Sequence, residues 1–281
     1  MLKTALFGKP LQRQHSAVMH NAAFKAASLD ACYDLHEVDE PQLQNYAREA
    51  RSGDWLGFQV TAPHKQFVMD LLDEVEPAAQ GIGAVNSVAV TPDGKLVGFN
   101  TDVLGFLAGL RSVLGRLDGI SAVVAGSGGV GHAATYGLAT NGVGRITVLD
   151  LNIAMPQRLA ATMAEVADIE PMEFDDASVR QRLETADLFV NATSVGMLSP
   201  GPVIDVSMLA PHASVFDVVY IPAQTELVRQ ARSRGLRAAN GDTMLIAQAA
   251  AAWMRWTGLP DPSDTMRAAV APLLLETNQQ P

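Results

Sequence analysis

Two groups of residues in this chain combine types and spacings that do chemistry. The first is the segment VVAGSGGVG, where Gly126, Gly128 and Gly131 follow an apolar run and lead into a longer amphipathic one. A G-x-G-x-x-G between a strand and a helix cradles a pyrophosphate. The first glycine permits a tight turn, the second lets the backbone approach the ligand, and the third lets helix and strand pack closely. Ser127, Gly129 and Val130 complete the loop and are candidate cofactor contacts with the three glycines. Asp150 closes the next apolar run, RITVLD, about 20 residues beyond the last glycine, where an acid accepts hydrogen bonds from a ribose. A carboxylate there repels the extra phosphate of NADP, and Leu151, Asn152, Ile153 and Ala154 bring no cation to hold one. The expected cofactor is NAD in preference to NADP.

The second group lies in the first hundred residues. Lys65 ends VTAPHK, Asn86 sits in GAVNSV, and Asp102 closes GFNTD, each beside the end or start of an apolar run. In an open α/β sheet the strand ends line the ligand crevice, so these three side chains are expected to converge. A lysine held by a carboxylate is a proton-transfer pair. Taken singly, each of these residue types is more often a solvated surface group.

The elements that must position them alternate in type. TALFG, ACYDLHEV and LGFQVT read as strands; SAVMHNAAFKAASL, PQLQNYAREARS and PHKQFVMDLLDEV read as helices, the last opened by Pro63. AVNSVAVTPDGKLVGFNTD reads as a hairpin turning at Asp93-Gly94. Beyond Asp102 the helix VLGFLAGLRSVLG leads to the glycine loop. RITVLDLN, DLFVNATS and ASVFDVVYIP then alternate with further helical stretches, and the chain ends in a long helix through AQAAAAWMRW. The expected fold is α/β: an N-terminal substrate domain over residues 1–104, a Rossmann-type domain over 105–238, and helices from 239–281 that return to the first domain.

Composition excludes several classes. With 281 residues, 48% apolar and 18% charged, the chain has the balance of a globular protein, and no apolar run approaches a membrane span. MLKTALFGKP is too short for a signal sequence, so the cytoplasm is the expected compartment. A net charge of −10 argues against nucleic acid, and the lone Cys32, read as a small buried hydrophobe, excludes an internal disulfide. The six histidines show no metal spacing, so no metal is expected. Trp55, Trp253 and Trp256 read as core residues, and the tail LLLETNQQP is expected to fray.

The ordered set GKPLQRQHSAVMHN, VTAPHK, GAVNS, GFNTD, GSGGVG, NATSVGM, DVVYIPAQT and GDTMLIAQAA resembles the shikimate dehydrogenase family nearly collinearly from Leu6 to about Gly258. The resemblance implies reversible hydride transfer between a nicotinamide and a ring hydroxyl of shikimate, quinate or a related small hydroxy acid. Lys65 matches the family's catalytic lysine and Asp102 its partner. Thr61, Asn86, Tyr220 and Gln248 match positions that hold ring hydroxyls or order the site, and Ser16 matches one of two residues holding the carboxylate. Asn191, Thr193, Val219, Gly241 and Met244 match positions near the nicotinamide. A homodimer through the first domain is a further family expectation.

The chain also departs from the family pattern. Gln14 stands where the first carboxylate-binding serine belongs, with His15 between it and Ser16 and Ala17 in place of the usual proline. Gln59 replaces an asparagine, and His64 replaces a phenylalanine before the lysine. Gln14, Gln59 and His64 together would reshape specificity toward an aminated or otherwise modified ring acid. A catalytically silent NAD-binding regulator is the reading of another class; the Lys65/Asp102 pair weighs against it. Ser16 is expected to cap the following helix while presenting its hydroxyl to a carboxylate.

Overall fold

The computed structural model describes residues 1–11 and 13–276, which form two compact α/β units. The first comprises Met1–Thr101 and Ile246–Leu273. The second comprises Asp102–Leu245 together with the last described residues from Leu274.

In the first unit, β1 (Leu2–Gly8), α1 (His15–Ala26), β2 (Ala31–Glu37), α2 (Glu40–Ala50) and β3 (Gly57–Val60) follow the expected alternation. Asp39 starts α2 with a reciprocal capping box: its side chain accepts the Gln42 N–H, and the Gln42 side chain accepts the Asp39 N–H. The stretch from Pro63 does not form the expected helix. It runs through turns into a 3₁₀ segment, Phe67–Leu71, and a two-residue strand β4 (Glu74–Val75), before α3 (Pro77–Ile82). Tertiary bonds compete with the helical ladder here: the His64 Nε2–H donates to the Val38 carbonyl (2.9 Å), and Asp73 N–H donates to Leu96 O (3.0 Å). The predicted hairpin is present as β5 (Ser87–Val90) and β6 (Leu96–Phe99), antiparallel, with Gly94 at φ +82° in its turn. The sheet order is β2-β1-β3-β5-β6-β4.

One core of this unit gathers Phe7, Leu43, Phe58, Val68 and Leu96. On α1, Met19, His20, Ala23 and Phe24 are buried. Phe24 meets Trp253 and His20 meets Trp256, both carried on the later helix α9 (Asp242–Thr257). Trp256 donates Nε1–H to Val88 O at 2.9 Å; a Cβ on Gly57 would lie 2.2 Å from that indole nitrogen, so only glycine fits there. All three tryptophans are buried, whereas Cys32 is half-exposed beside Asp34 instead of buried.

The second unit begins with α4 (Asp102–Leu110), followed by β7 (Ser121–Ala125), α5 (Gly129–Ala139), β8 (Arg145–Asp150), α6 (Ala154–Thr162), β9 (Ile169–Glu173) and α7 (Val179–Thr185). Then come β10 (Leu188–Asn191), β11 (Ser214–Asp217), α8 (Glu226–Ser233) and β12 (Arg237–Ala239), before α9 and α10 (Ser263–Glu276). The order β12-β11-β10-β7-β8-β9, parallel throughout, reverses direction between β7 and β10, the doubly wound arrangement. Its inner strands β7, β8, β10 and β11 are mostly apolar because both faces are covered. Val123 and Ala125 face a core with Val179, Leu183, Leu227 and Ala231; Ala122 and Val124 face another with Phe106, Leu138 and Leu159. The end of the tail, from Thr277, lies outside the described residues.

Candidate active site

In the second unit the glycine loop has the conformation its sequence requires. Gly126 has φ +99°, and a Cβ there would come within 2.9 Å of the Ala192 carbonyl. A Cβ on Gly131 would lie 2.1 Å from Gly126 O, which closes that position to any side chain. A Cβ on Gly128 would meet nothing of the chain within 4 Å, so the space above it is open to a ligand. Gly128 is the N-cap of α5 and no side chain caps the helix. Its first N–H groups, Gly129 and Val130 among them, thus form an anion-binding end of the kind that holds a pyrophosphate.

Asp150 ends β8 and faces this loop. Its Oδ2 accepts the Ser127 backbone N–H at 2.9 Å and the Ser127 hydroxyl, and its Oδ1 accepts the Leu151 N–H at 2.8 Å. Ser127 is therefore turned toward Asp150. The carboxylate does not cap α6: Asn152 accepts the Ala154 N–H, and Glu173 accepts the Ile153 N–H. Leu151 is 85% exposed, and no cation occupies positions 151–154. These residues fit a nicotinamide dinucleotide, with loop amides for phosphate and an acid for ribose.

The strand ends on the other side of the reversal carry a network whose members Asn191, Thr193 and Val219 were expected near the cofactor, but whose hub, Asp217, and its partner Thr225 sequence reasoning did not single out. Asp217, at the end of β11, is fully buried. It accepts Asn191 Nδ2 (2.9 Å), the Val219 N–H (3.1 Å) and the Thr225 hydroxyl (2.6 Å). Burial pushes its carboxyl up to about 6, and these three donors pull the other way. Asn191 also donates to Val195 O, and its Oδ1 accepts both the N–H and the hydroxyl of Thr193. The side chains of Asn191 and Thr193 thus shape the loop. Gly241 N–H donates to Val219 O at 3.2 Å, and a Cβ there would meet Val218 O at 2.1 Å. Met244 packs in the core beside Phe106 and Phe216, and Tyr220 is half-buried.

In the first unit, the segments bearing Lys65 and Asn86 are joined by backbone bonds. Val85 N–H donates to Lys65 O and Val60 N–H to Asn86 O, both at 2.9 Å. Asn86 then reaches GFNTD: its Nδ2 donates to Thr101 Oγ1 (3.0 Å), and its Oδ1 accepts the Thr101 N–H (2.9 Å). Asp102 follows directly, 2% exposed at the first position of α4, while Lys65 and Thr61 are half-buried. Gln248 is half-buried on α9.

The knot at residues 13–16 differs from expectation. α1 begins at His15; Gln14 is its N-cap and makes no side-chain capping bond. Ser16 lies inside the first turn, past the capping position, so it does not cap the helix. Of Gln14, Gln59 and His64, only Gln14 is exposed. Gln59 is buried, accepting from the Tyr33 hydroxyl (2.7 Å) and donating to Ser87 Oγ (3.3 Å). His64 is buried, its Nε2–H donating to the Val38 carbonyl.

Among the described residues, no group of three or more His, Cys, Asp or Glu is placed to hold a metal, and no helix is long and apolar enough to cross a membrane.

A doubly wound unit with a dinucleotide loop, in a chain whose other unit carries Lys65 and Asn86, fits the nicotinamide-dinucleotide oxidoreductases. Comparison with known proteins narrows the class. Residues 6–88 match the shikimate dehydrogenase substrate binding domain. A shikimate dehydrogenase (NADP(+)) from Symbiobacterium thermophilum is 39% identical over 94% of this chain and 92% of its own length. A quinate/shikimate dehydrogenase (NAD(+)) from Corynebacterium efficiens is also 39% identical, over 94% of this chain and 95% of its own. The solved quinate dehydrogenase of Corynebacterium glutamicum in complex with NAD superposes with a TM-score of 0.89 at 34% identity, covering 96% of this chain and 99% of that one. The chain belongs to the shikimate dehydrogenase family.

Proposed function

We propose that the chain is an NAD-dependent dehydrogenase acting reversibly on a ring hydroxyl of shikimate, quinate or a related alicyclic hydroxy acid. The observation that carries the cofactor choice is Asp150. Its carboxylate lies against the glycine loop at the end of β8, with no cation in the residues that follow to receive a second phosphate. The relatives include both NADP- and NAD-named enzymes, so the choice rests on this residue.

NAD, when bound, supplies the hydride acceptor. In this reading Lys65 takes the proton from the substrate hydroxyl oxygen as that carbon is oxidised, and returns it in the reverse direction. Asp102, buried and acceptor-only when ionised, is its charge partner. Thr61, Asn86, Tyr220 and Gln248 hold or order the ring hydroxyls, and Gln14 and Ser16 receive the carboxylate. Residues 1–104 serve the substrate and 105–238 the cofactor, while the segment Ile246–Leu273 belongs to the first unit. A second reading, an aminated or otherwise modified ring acid, is favoured by Gln14: a longer, exposed amide where the family pattern has a serine alters the shape of the carboxylate subsite.

The test is NADH formation from shikimate, quinate and aminated analogues, with NADP as control. Oxidation of shikimate or quinate with NAD is expected, and Lys65→Ala should lower turnover by about 10²–10⁴ while leaving NAD binding intact. No oxidation of any ring acid with either cofactor would refute the proposal. Full turnover by the variant would remove Lys65 as the base.

A further inference from the structure

We propose that Asp217 is a positioning residue for the nicotinamide half of the cofactor, a role that rests on the dinucleotide reading above. In a doubly wound sheet the dinucleotide lies across the reversal of strand order. The glycine loop and Asp150 belong to β7 and β8 on one side; β10 and β11 lie on the other. The adenosine end therefore has its own binding groups, none of which Asp217 touches. The nicotinamide end falls to the loops that leave β10 and β11.

Those loops are held by one carboxylate. Asp217 binds Asn191 at the end of β10, the Val219 N–H two residues beyond the end of β11, and the hydroxyl of Thr225. Thr225 is also the N-cap of α8, accepting the Val228 N–H, so the start of that helix is tied to the same group. The linkage extends further through Val219 O to Gly241, after β12. The end of β10, the turn after β11 and the start of α8 thus share one buried acceptor that has no access to solvent. An acid so placed, with every bond spent on loop groups, orders backbone; it does not touch ligand.

The experiment compares two ligands by calorimetry, NAD and ADP-ribose, which lacks the nicotinamide. Asp217→Ala should raise the NAD dissociation constant about tenfold, as expected for leaving buried donors unpaired, with ADP-ribose affinity kept within about twofold. Asp217→Asn, which keeps an acceptor for Asn191 and Val219, should recover most of the loss. If Asp217→Ala does not fold, Thr225→Val removes one donor to Asp217, together with the cap acceptor of α8, and should give the same selectivity at about threefold. A role confined to stability would lower the melting temperature without separating the ligands. Equal weakening of both ligands, or of neither, in folded variants overturns the proposal. If the unaltered chain binds neither ligand, the dinucleotide reading itself fails and the proposal with it.

Discussion

The sharpest stability prediction concerns His20. This residue lies on α1, fully buried, with its ring stacked on Tyr33 at 4.3 Å and 6° and close to Trp256 at 5.3 Å. Burial lowers its pKa to about 3, with Gln59 opposing only in part. An unfolded histidine titrates near its ordinary 6.5. Between those values the unfolded chain binds the extra proton, so the stability that His20 contributes is whole above about pH 6.5 and is lost as pH falls toward 3. Across the full window this amounts to about 5 kcal/mol; between pH 7.5 and 5 it is about 2 kcal/mol.

The perturbation is His20→Phe, which keeps a flat ring against Tyr33 and removes the titration. Urea unfolding followed by tryptophan fluorescence reports on the unit concerned, because Trp55, Trp253 and Trp256 all belong to it. The wild type should lose about 2 kcal/mol more than the variant on going from pH 7.5 to pH 5, every other titrating group cancelling in the comparison. Parallel pH profiles for the two proteins would show that His20 does not carry this linkage, and the argument from its burial would be wrong.

Two further outcomes follow from buried or bonded carboxylates. Asp217 shifts the opposite way from His20: its folded pKa of about 6 stands above the ordinary 3.8, so the folded state holds the proton more tightly in that window. Stability should therefore fall, by about 2 kcal/mol relative to Asp217→Asn, as pH rises from about 4 to 6.5, and denaturation at those two pH values checks both sign and size. Asp150→Ala should weaken both dinucleotides, because Ser127 and Leu151 lose their acceptor; the ratio of kcat/KM for NAD over NADP should also fall about tenfold or more, and an unchanged ratio would discredit Asp150 as the discriminator.

Much of the site is legible because its devices are local. The glycine loop is a strand end, a turn at positive φ and a helix start within a few residues, and Asp150 is placed by the length of one helix and one strand. The hairpin at Asp93-Gly94 was readable for the same reason. The expected helix after Pro63 misled because its apolar spacing is real, yet His64 and Asp73 are captured by Val38 and Leu96. The strands β9 and β12 escaped notice as edge strands: one contains Pro171 and two glutamates, and the other is three residues long.

What the sequence determined by itself, then, is the α/β alternation, the dinucleotide loop and the acid that faces it. These follow from backbone conformations and periodicities that neighbouring residues impose on one another. Only the tertiary structure decided how the other polar residues are used. It turned Gln59 to Tyr33 and Ser87, set His64 against the Val38 carbonyl, left Gln14 exposed at the start of α1, and gave Asn191, Val219 and Thr225 a common acceptor in Asp217. A buried polar group must find its partners wherever the fold brings them, and the partners of Asp217 come from both directions along the chain, the farthest 26 residues away. No local pattern records that choice.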